Sequence, residues 1–387
     1  MDKRYFIVLG CLITQFMIIG LFFVYSLLIG ELEAEFGWTR TTLSMGASLA
    51  ALTMGVFAIF GGRLADRLGP RIVLSVAGLI YGLGYAAISV ISEPWQLLAI
   101  CGLFLGLGMA THDVVTLGAI ARWFPNRKGI MTGVVKSGTA AGQVVLPPIA
   151  AFLFTTQGWR EAALILGLAA AVLLVIAAQL VRRPPAPTAT VPAAGGMEFA
   201  EVRRTRYFWL LCCAQFLFFP TLMTVPLHIA VHGMDLGMTQ GVAATLLSFL
   251  GASSVAGRLA IGAFADRLGG RTAYLLCLGP MILALSALIV TEAHLMIFAI
   301  IILYGFAHGG LFVVVAPTIA EYFGTRAHGA IFGVIVFFGT IGGAIGPVFA
   351  GQVFDRTGGY DIAFAGLALM MTIALVLTRL LPGRSAG

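Results

Sequence analysis

The sequence predicts an all-α membrane protein whose twelve spanning helices form two similar halves of six. Three observations predict it. Of 387 residues, 60% are hydrophobic and 10% charged, whereas a soluble domain is about a quarter charged. Apolar runs of the ~20 residues that cross a bilayer recur along the chain, and the mean hydropathy is +1.01. One pattern of residues returns 200 positions later.

The first run, 5–30, follows Met1-Asp2-Lys3-Arg4. It is too long for a signal-peptide core and no A-x-A site closes it, so it is expected to remain as the first span. Runs at 42–62 and 71–91 flank an arginine-rich loop, 95–121 and 129–155 flank a second basic loop, and 161–181 completes the first half. The polar stretch 182–206 opens on Arg182-Arg183-Pro184-Pro185, continues in Ala, Pro and Thr, and closes on Arg203, Arg204 and Arg206. That composition reads as a poorly structured linker. Runs at 207–231, 240–263, 272–291, 293–320, 329–354 and 361–381 make the second half. The expected domains are 1–181 and 207–387, six helices each, joined by 182–206. Every span must be a helix, because a backbone facing lipid has to satisfy its own hydrogen bonds.

Eighteen of the 23 Lys and Arg fall on the side that holds both termini, and only Arg40, Arg160 and Arg356 on the other. Positive charge stays inside, so both termini are expected in the cytoplasm. The protein is expected to be a multi-pass monomer of a bacterial inner membrane. The net charge of +7 is thus a topology signal rather than a nucleic-acid surface. Cys11, Cys101, Cys212, Cys213 and Cys277 lie in apolar runs without metal-ligand spacing; they read as small core residues, with no disulfide, no metal and no cofactor.

The repeat is the strongest signal. Gly62-Arg63-Leu64-Ala65-Asp66-Arg67-Leu68-Gly69-Pro70-Arg71 matches Gly262-Ala263-Phe264-Ala265-Asp266-Arg267-Leu268-Gly269-Gly270-Arg271. The same offset pairs Gln15-Phe16 with Gln215-Phe216, Gly37 with Gly237, Gly129 with Gly329, Gly133 with Gly333, Gly142 with Gly342 and Pro147 with Pro347. With its Gly-x-x-x-Asp-Arg-x-Gly-x-Arg loop after the second and eighth spans, the chain resembles the major facilitator superfamily along its whole length. The resemblance implies two pseudo-symmetric six-helix bundles around a cavity that opens alternately to either side. It also implies that Gly62, Asp66, Arg67, Gly69 and Arg71, with Gly262, Asp266, Arg267, Gly269 and Arg271, form a cytoplasmic gate. Physically, Gly62 permits close helix packing and Asp66 can cap a helix N-terminus. The plainer reading is that the arginines only anchor topology.

An ionisable side chain at bilayer depth costs about 2.5–3.5 kcal/mol on insertion scales, which makes each one a functional candidate. Here they are His112, Asp113, Lys136, His228, Arg258 and His308. Arg258 lies eight residues before Asp266 and Lys136 eight beyond Lys128, each ~12 Å into its span. Two cations at one level in opposite halves suit an anion: Arg grips a carboxylate with two parallel hydrogen bonds, and Lys offers a point charge. Asp113 offsets one cation, leaving a net +1. The structural alternative is that Asp113 pairs permanently with Lys136 or Arg258.

Ser254-Val255-Ala256-Gly257-Arg258 and the end of the fourth span, Ala121-Arg122-Trp123-Phe124-Pro125, resemble the monocarboxylate transporter and oxalate:formate antiporter branch. In that branch the residue matching Arg258 binds substrate carboxylate, and residues near Asp113 line the same cavity. The sequence departs from the branch at Ser254, where animal carriers have an aspartate. It also lacks a lysine in the first span and any Lys or Arg in 329–354. Tyr25, Tyr304 and Phe337 are candidates for the apolar wall, with Phe216 and Phe338.

The expected function is secondary transport of a small monocarboxylate by alternating access, with proton symport. The proton carrier is Asp113, or else His112, His228 or His308. The partners are thus a small organic anion, H+ and the lipid bilayer. Anion exchange and export of apolar compounds are the alternatives. A solute sensor would need an output domain, and no hydrolase, P-loop or metal motif suggests an enzyme.

Overall fold

A computed structural model describes residues 3–124, 128–183, 196–324 and 326–383. Among them, twelve helices are long and apolar enough to cross a membrane. They are α1 (Lys3–Phe36), α2 (Arg40–Leu68), α3 (Pro70–Ala87), α4 (within Pro94–Trp123), α5 (Lys128–Gln157), α6 (Trp159–Leu180), α7 (Arg206–Asp235), α8 (Gln240–Leu268), α9 (Gly270–Val290), α10 (His294–Phe323), α11 (His328–Thr357) and α12 (Asp361–Arg379). Of the linker, 184–195 lies outside the described residues; before α7 stands a one-turn helix, Phe199–Val202.

The chain divides into two compact units, Met1–Thr188 with Leu227–Ser248, and Ala189–Pro226 with Phe249–Gly387. The ends of α7 and α8 that meet at their shared loop therefore pack with the first unit. In that unit a buried core of Ile7, Cys11, Val73, Val115, Val135 and Ala178 ties α1, α3, α4, α5 and α6 together.

Matched residues make matched contacts in the two halves. A Cβ on Gly142 of α5 would sit 2.2 Å from the Phe16 carbonyl oxygen of α1, and one on Gly342 of α11 would sit 2.2 Å from the Phe216 carbonyl oxygen of α7. In each half the helices meet backbone to backbone, which only glycine permits. The loops after α2 and α8 turn on Gly69 and Gly269, at φ 95° and 84°, a region that Cβ-bearing residues avoid. The helices that follow differ in one respect. Pro70 opens α3 and has no N–H to satisfy; Gly270 opens α9, and its N–H donates to Glu321 Oε2 at 2.7 Å. The first half has Ala121 where the second has Glu321.

The expected single run at 95–121 is interrupted. Pro94–Ala99 is α-helical, Ile100–Leu105 is a π-helix, Gly106–Met109 is α-helical again, and after a turn at Ala110 and Thr111 the helix restarts at His112. Glycines draw this weak stretch against its neighbours: a Cβ on Gly106 would lie 2.6 Å from Thr53 Cβ, and one on Gly108 2.5 Å from Tyr81 Cβ. Breaks of this kind collect at functional positions.

Candidate functional site

The break in α4 positions the first cluster. Asp113 falls in the first turn of the restarted helix His112–Trp123, where the helix dipole favours a carboxylate. Lys136 of α5 donates to Asp113 Oδ1 at 2.6 Å and Oδ2 at 2.8 Å. Gln15 of α1 donates from Nε2 to the same Oδ1 at 2.8 Å and to Thr116 Oγ1 at 3.0 Å. The Thr116 hydroxyl in turn donates to the His112 carbonyl oxygen. His112 Nδ1 lies 2.5 Å from the carbonyl oxygen of Met109, at the break, and Nε2 lies 3.6 Å from Asp113 Oδ1. His112 is buried, whereas the side chains of Lys136 and Asp113 are 30% and 42% exposed. The ion pair is thus less deeply buried than the imidazole. Of the pairings open to Asp113, the structure makes the one with Lys136.

A second network in the same unit joins the ends of α1, α2 and α7. Arg40, 3% exposed, donates from Nη1 and Nη2 to the two oxygens of Asp235 at 2.5 and 2.7 Å, and from Nε to Glu33 Oε2 at 2.9 Å. Gln240 donates to Glu31 Oε1 at 2.6 Å. His228 is buried, its Nε2 3.2 Å from Ser44 Oγ. Tyr25 is buried and donates to the Leu43 carbonyl oxygen at 2.7 Å, so its hydroxyl is engaged by backbone.

In the second unit Arg258 of α8 is half-buried, its guanidinium carbon 5.7 Å from the centroid of the Phe312 ring of α10. His308 is buried between Phe312 and Tyr304, with ring centroids at 5.0 and 5.7 Å, and its Nδ1 lies 3.4 Å from Ser254 Oγ. Tyr304 donates to the Thr221 carbonyl oxygen at 2.8 Å, and Phe337 is exposed. The structure thus brings Arg258, His308, Ser254 and Tyr304 into one neighbourhood of α8 and α10, while Phe337 lies on α11.

Of the repeated loop residues, the side chains of Asp66 and Asp266 lie outside the described ones. Gly62 packs closely, since a Cβ there would fall 2.9 Å from Val114 Cγ1; at Gly262 no described atom lies within 4 Å. Arg67, Arg71 and Arg267 are exposed and Arg271 is half-buried. Arg71 donates to Gln179 Oε1. Arg183 donates to the Arg67 carbonyl oxygen at 2.8 Å, a cation at the C-terminus of α2, where the dipole favours it.

Sequence reasoning missed roles for Gln15, Thr116 and the Arg40 network. The offset match of Gln15 with Gln215, and the rarity of arginine on the side of Arg40, were the available signals.

The sequence matches the family model described as Major Facilitator Superfamily over residues 11–293 and 235–386. The chain belongs to the major facilitator superfamily. Monocarboxylate transporter 13 of Rattus norvegicus is 27% identical over 384 residues, covering 96% of this chain and 88% of that one. The oxalate:formate antiporter of Oxalobacter formigenes is 23% identical over 387 residues, covering 97% and 91%. Among solved structures, a bacterial homolog of the human lysosomal transporter Spinster, inward-facing and unoccupied, superposes with a TM-score of 0.73. It is 17% identical, covering 98% of this chain and 95% of that one, a likeness of fold alone. As a member of the superfamily, the chain is a multi-pass membrane protein of a transporter family.

Proposed function

We propose that this protein is a secondary carrier of small monocarboxylates, coupled to protons and located in a bacterial inner membrane with both termini cytoplasmic. The observation that carries the reading is the set of ionised groups inside the spans. Asp113, Lys136 and Arg258 put two cations and one acid into otherwise apolar spans, and each cation is suited to an anion. Arg258 is assigned the substrate carboxylate, because a guanidinium offers two parallel donors. Its half-buried position beside Phe312 leaves it accessible in a partly apolar setting. The partly exposed Lys136–Asp113 pair is assigned the second charge and the proton. His112, His228 and His308 remain the other candidates for the proton. Ser254 and Tyr304 support the Arg258 neighbourhood, with Tyr25 and Phe337 as candidate walls. The names of the relatives, a monocarboxylate transporter and an oxalate:formate antiporter, point to the same class, and the second favours exchange as the alternative to symport.

The test is flux of labelled lactate, formate and oxalate into liposomes holding the purified protein, with and without an inward proton gradient. Expected is uptake of at least one acid, accelerated by the gradient. Arg258→Gln should lower uptake at least tenfold, and Asp113→Asn should abolish the gradient's effect while sparing exchange. Flux of an apolar cation with none of the acids would assign the chain to export of apolar compounds instead.

A further inference from the structure

Asp113 is held by a third partner, and that partner suggests how the ion pair works. Gln15 is fully buried and donates to Asp113 Oδ1 at 2.8 Å, to Thr116 Oγ1 at 3.0 Å and to the His112 carbonyl oxygen at 3.3 Å. Its Oε1 is buried with no hydrogen-bond partner among the described residues. A buried acceptor left this way forfeits the hydrogen bonds it had with water. An ionised carboxylate can only accept hydrogen bonds, so it takes the amide N–H end of Gln15; a protonated carboxyl donates one. A half-turn of the carboxamide exchanges its donor end for its acceptor end.

We propose that Asp113 and the substrate carboxylate are alternative partners of Lys136, and that Gln15 is the positioning residue serving Asp113 in both charge states. The inference rests on the carboxylate-carrier reading. With Asp113 ionised, the cluster is neutral and Lys136 is engaged. A proton taken from water neutralises Asp113, Lys136 keeps its charge, and the cluster becomes +1. The ammonium then turns to the anion, and Gln15 Oε1 accepts the new O–H. Departure of the anion and return of the proton to water reverse each bond. Among the described residues, the titratable groups facing Asp113 are Lys136 on α5 and His112 on its own helix, with Cys11 on α1 bonding the Thr116 carbonyl oxygen at 3.7 Å. Of these, Lys136 alone is not buried, its side chain being 30% exposed.

The test is a pH titration of the full chain in liposomes by infrared difference spectroscopy, with Asp113→Asn assigning the carboxylic-acid band. In Gln15→Met, which keeps the shape and loses donor and acceptor alike, the band's midpoint should move to higher pH by about one unit, a tenfold change, because the lost bond to the ionised carboxylate is the stronger of the two. If Gln15→Met does not fold, Gln15→Asn, with shorter reach, must move it the same way. Formate added at fixed pH should increase the band in the parent and not in Lys136→Gln. The absence of a band that Asp113→Asn removes, an unmoved midpoint, or no formate response in a protein that carries formate overturns the inference. No flux of lactate, formate or oxalate, beside a band that Gln15 controls, instead overturns the carboxylate reading.

Discussion

Arg40 shows how much one side chain can organise. It is almost entirely buried, yet it satisfies two carboxylates with three nitrogens, through the fork to Asp235 and the single bond to Glu33. The planar guanidinium makes this possible; a lysine could not reach both acids with fixed geometry. Removing it leaves two acids, each about a third exposed, facing one another without a cation. Arg40→Gln is expected to destabilise the protein by about 1–3 kcal/mol, read as a lower melting temperature in detergent. Asp235→Asn should cost less, because Glu33 remains with Arg40. The double variant should fall short of the sum of the two, since both act on one network. An additive pair would show that the fork contributes nothing of its own.

The helix pairs α1 with α5 and α7 with α11 depend on their glycines unequally, although the repeat presents all of them alike. Gly142 and Gly342 each face a carbonyl oxygen 2.2 Å from where a Cβ would stand, whereas around Gly133 and Gly333 no described atom lies within 4 Å. Gly342→Leu is therefore expected to push α11 off α7 and cost about 3 kcal/mol or more. Gly333→Leu should change stability by less than about 0.5 kcal/mol. The measurement is thermal unfolding of the two purified variants; equal losses would refute the contact reading. The interruption of α4 belongs to the same level of organisation. It ends one helical segment and begins another at His112, which turns Asp113 toward Lys136 and Gln15.

Across the molecule the scaffold is duplicated and the chemistry is not. Asp113, Lys136, Arg258 and His308 correspond by the 200-residue offset to Val313, Val336, Ala58 and Gly108. Two similar halves meet the same packing demands, so contacts such as Gly142 with Phe16 recur. A binding site needs each charge only once, because every further ionised group in a span adds its own insertion cost. The proposed orientation follows from the distribution of arginine and lysine over the whole chain. A fluorescent protein fused after residue 387 in a bacterial host should fluoresce, and a periplasm-dependent phosphatase fused there should be inactive. The reverse pair of results would invert the orientation.

Composition, run length and the offset of 200 were sufficient for the helical class, the twelve spans and the superfamily, because lipid admits few ways to satisfy a backbone. They also singled out Asp113, Lys136 and Arg258, because charge in an apolar span is conspicuous. They did not reveal that Asp113 bonds Gln15, 98 residues away, and Lys136, 23 residues away, nor that α4 breaks beside them. Hydropathy counts residues along the chain. Partners are chosen by which helix faces the glycines bring together, and that depends on close packing between segments distant in sequence.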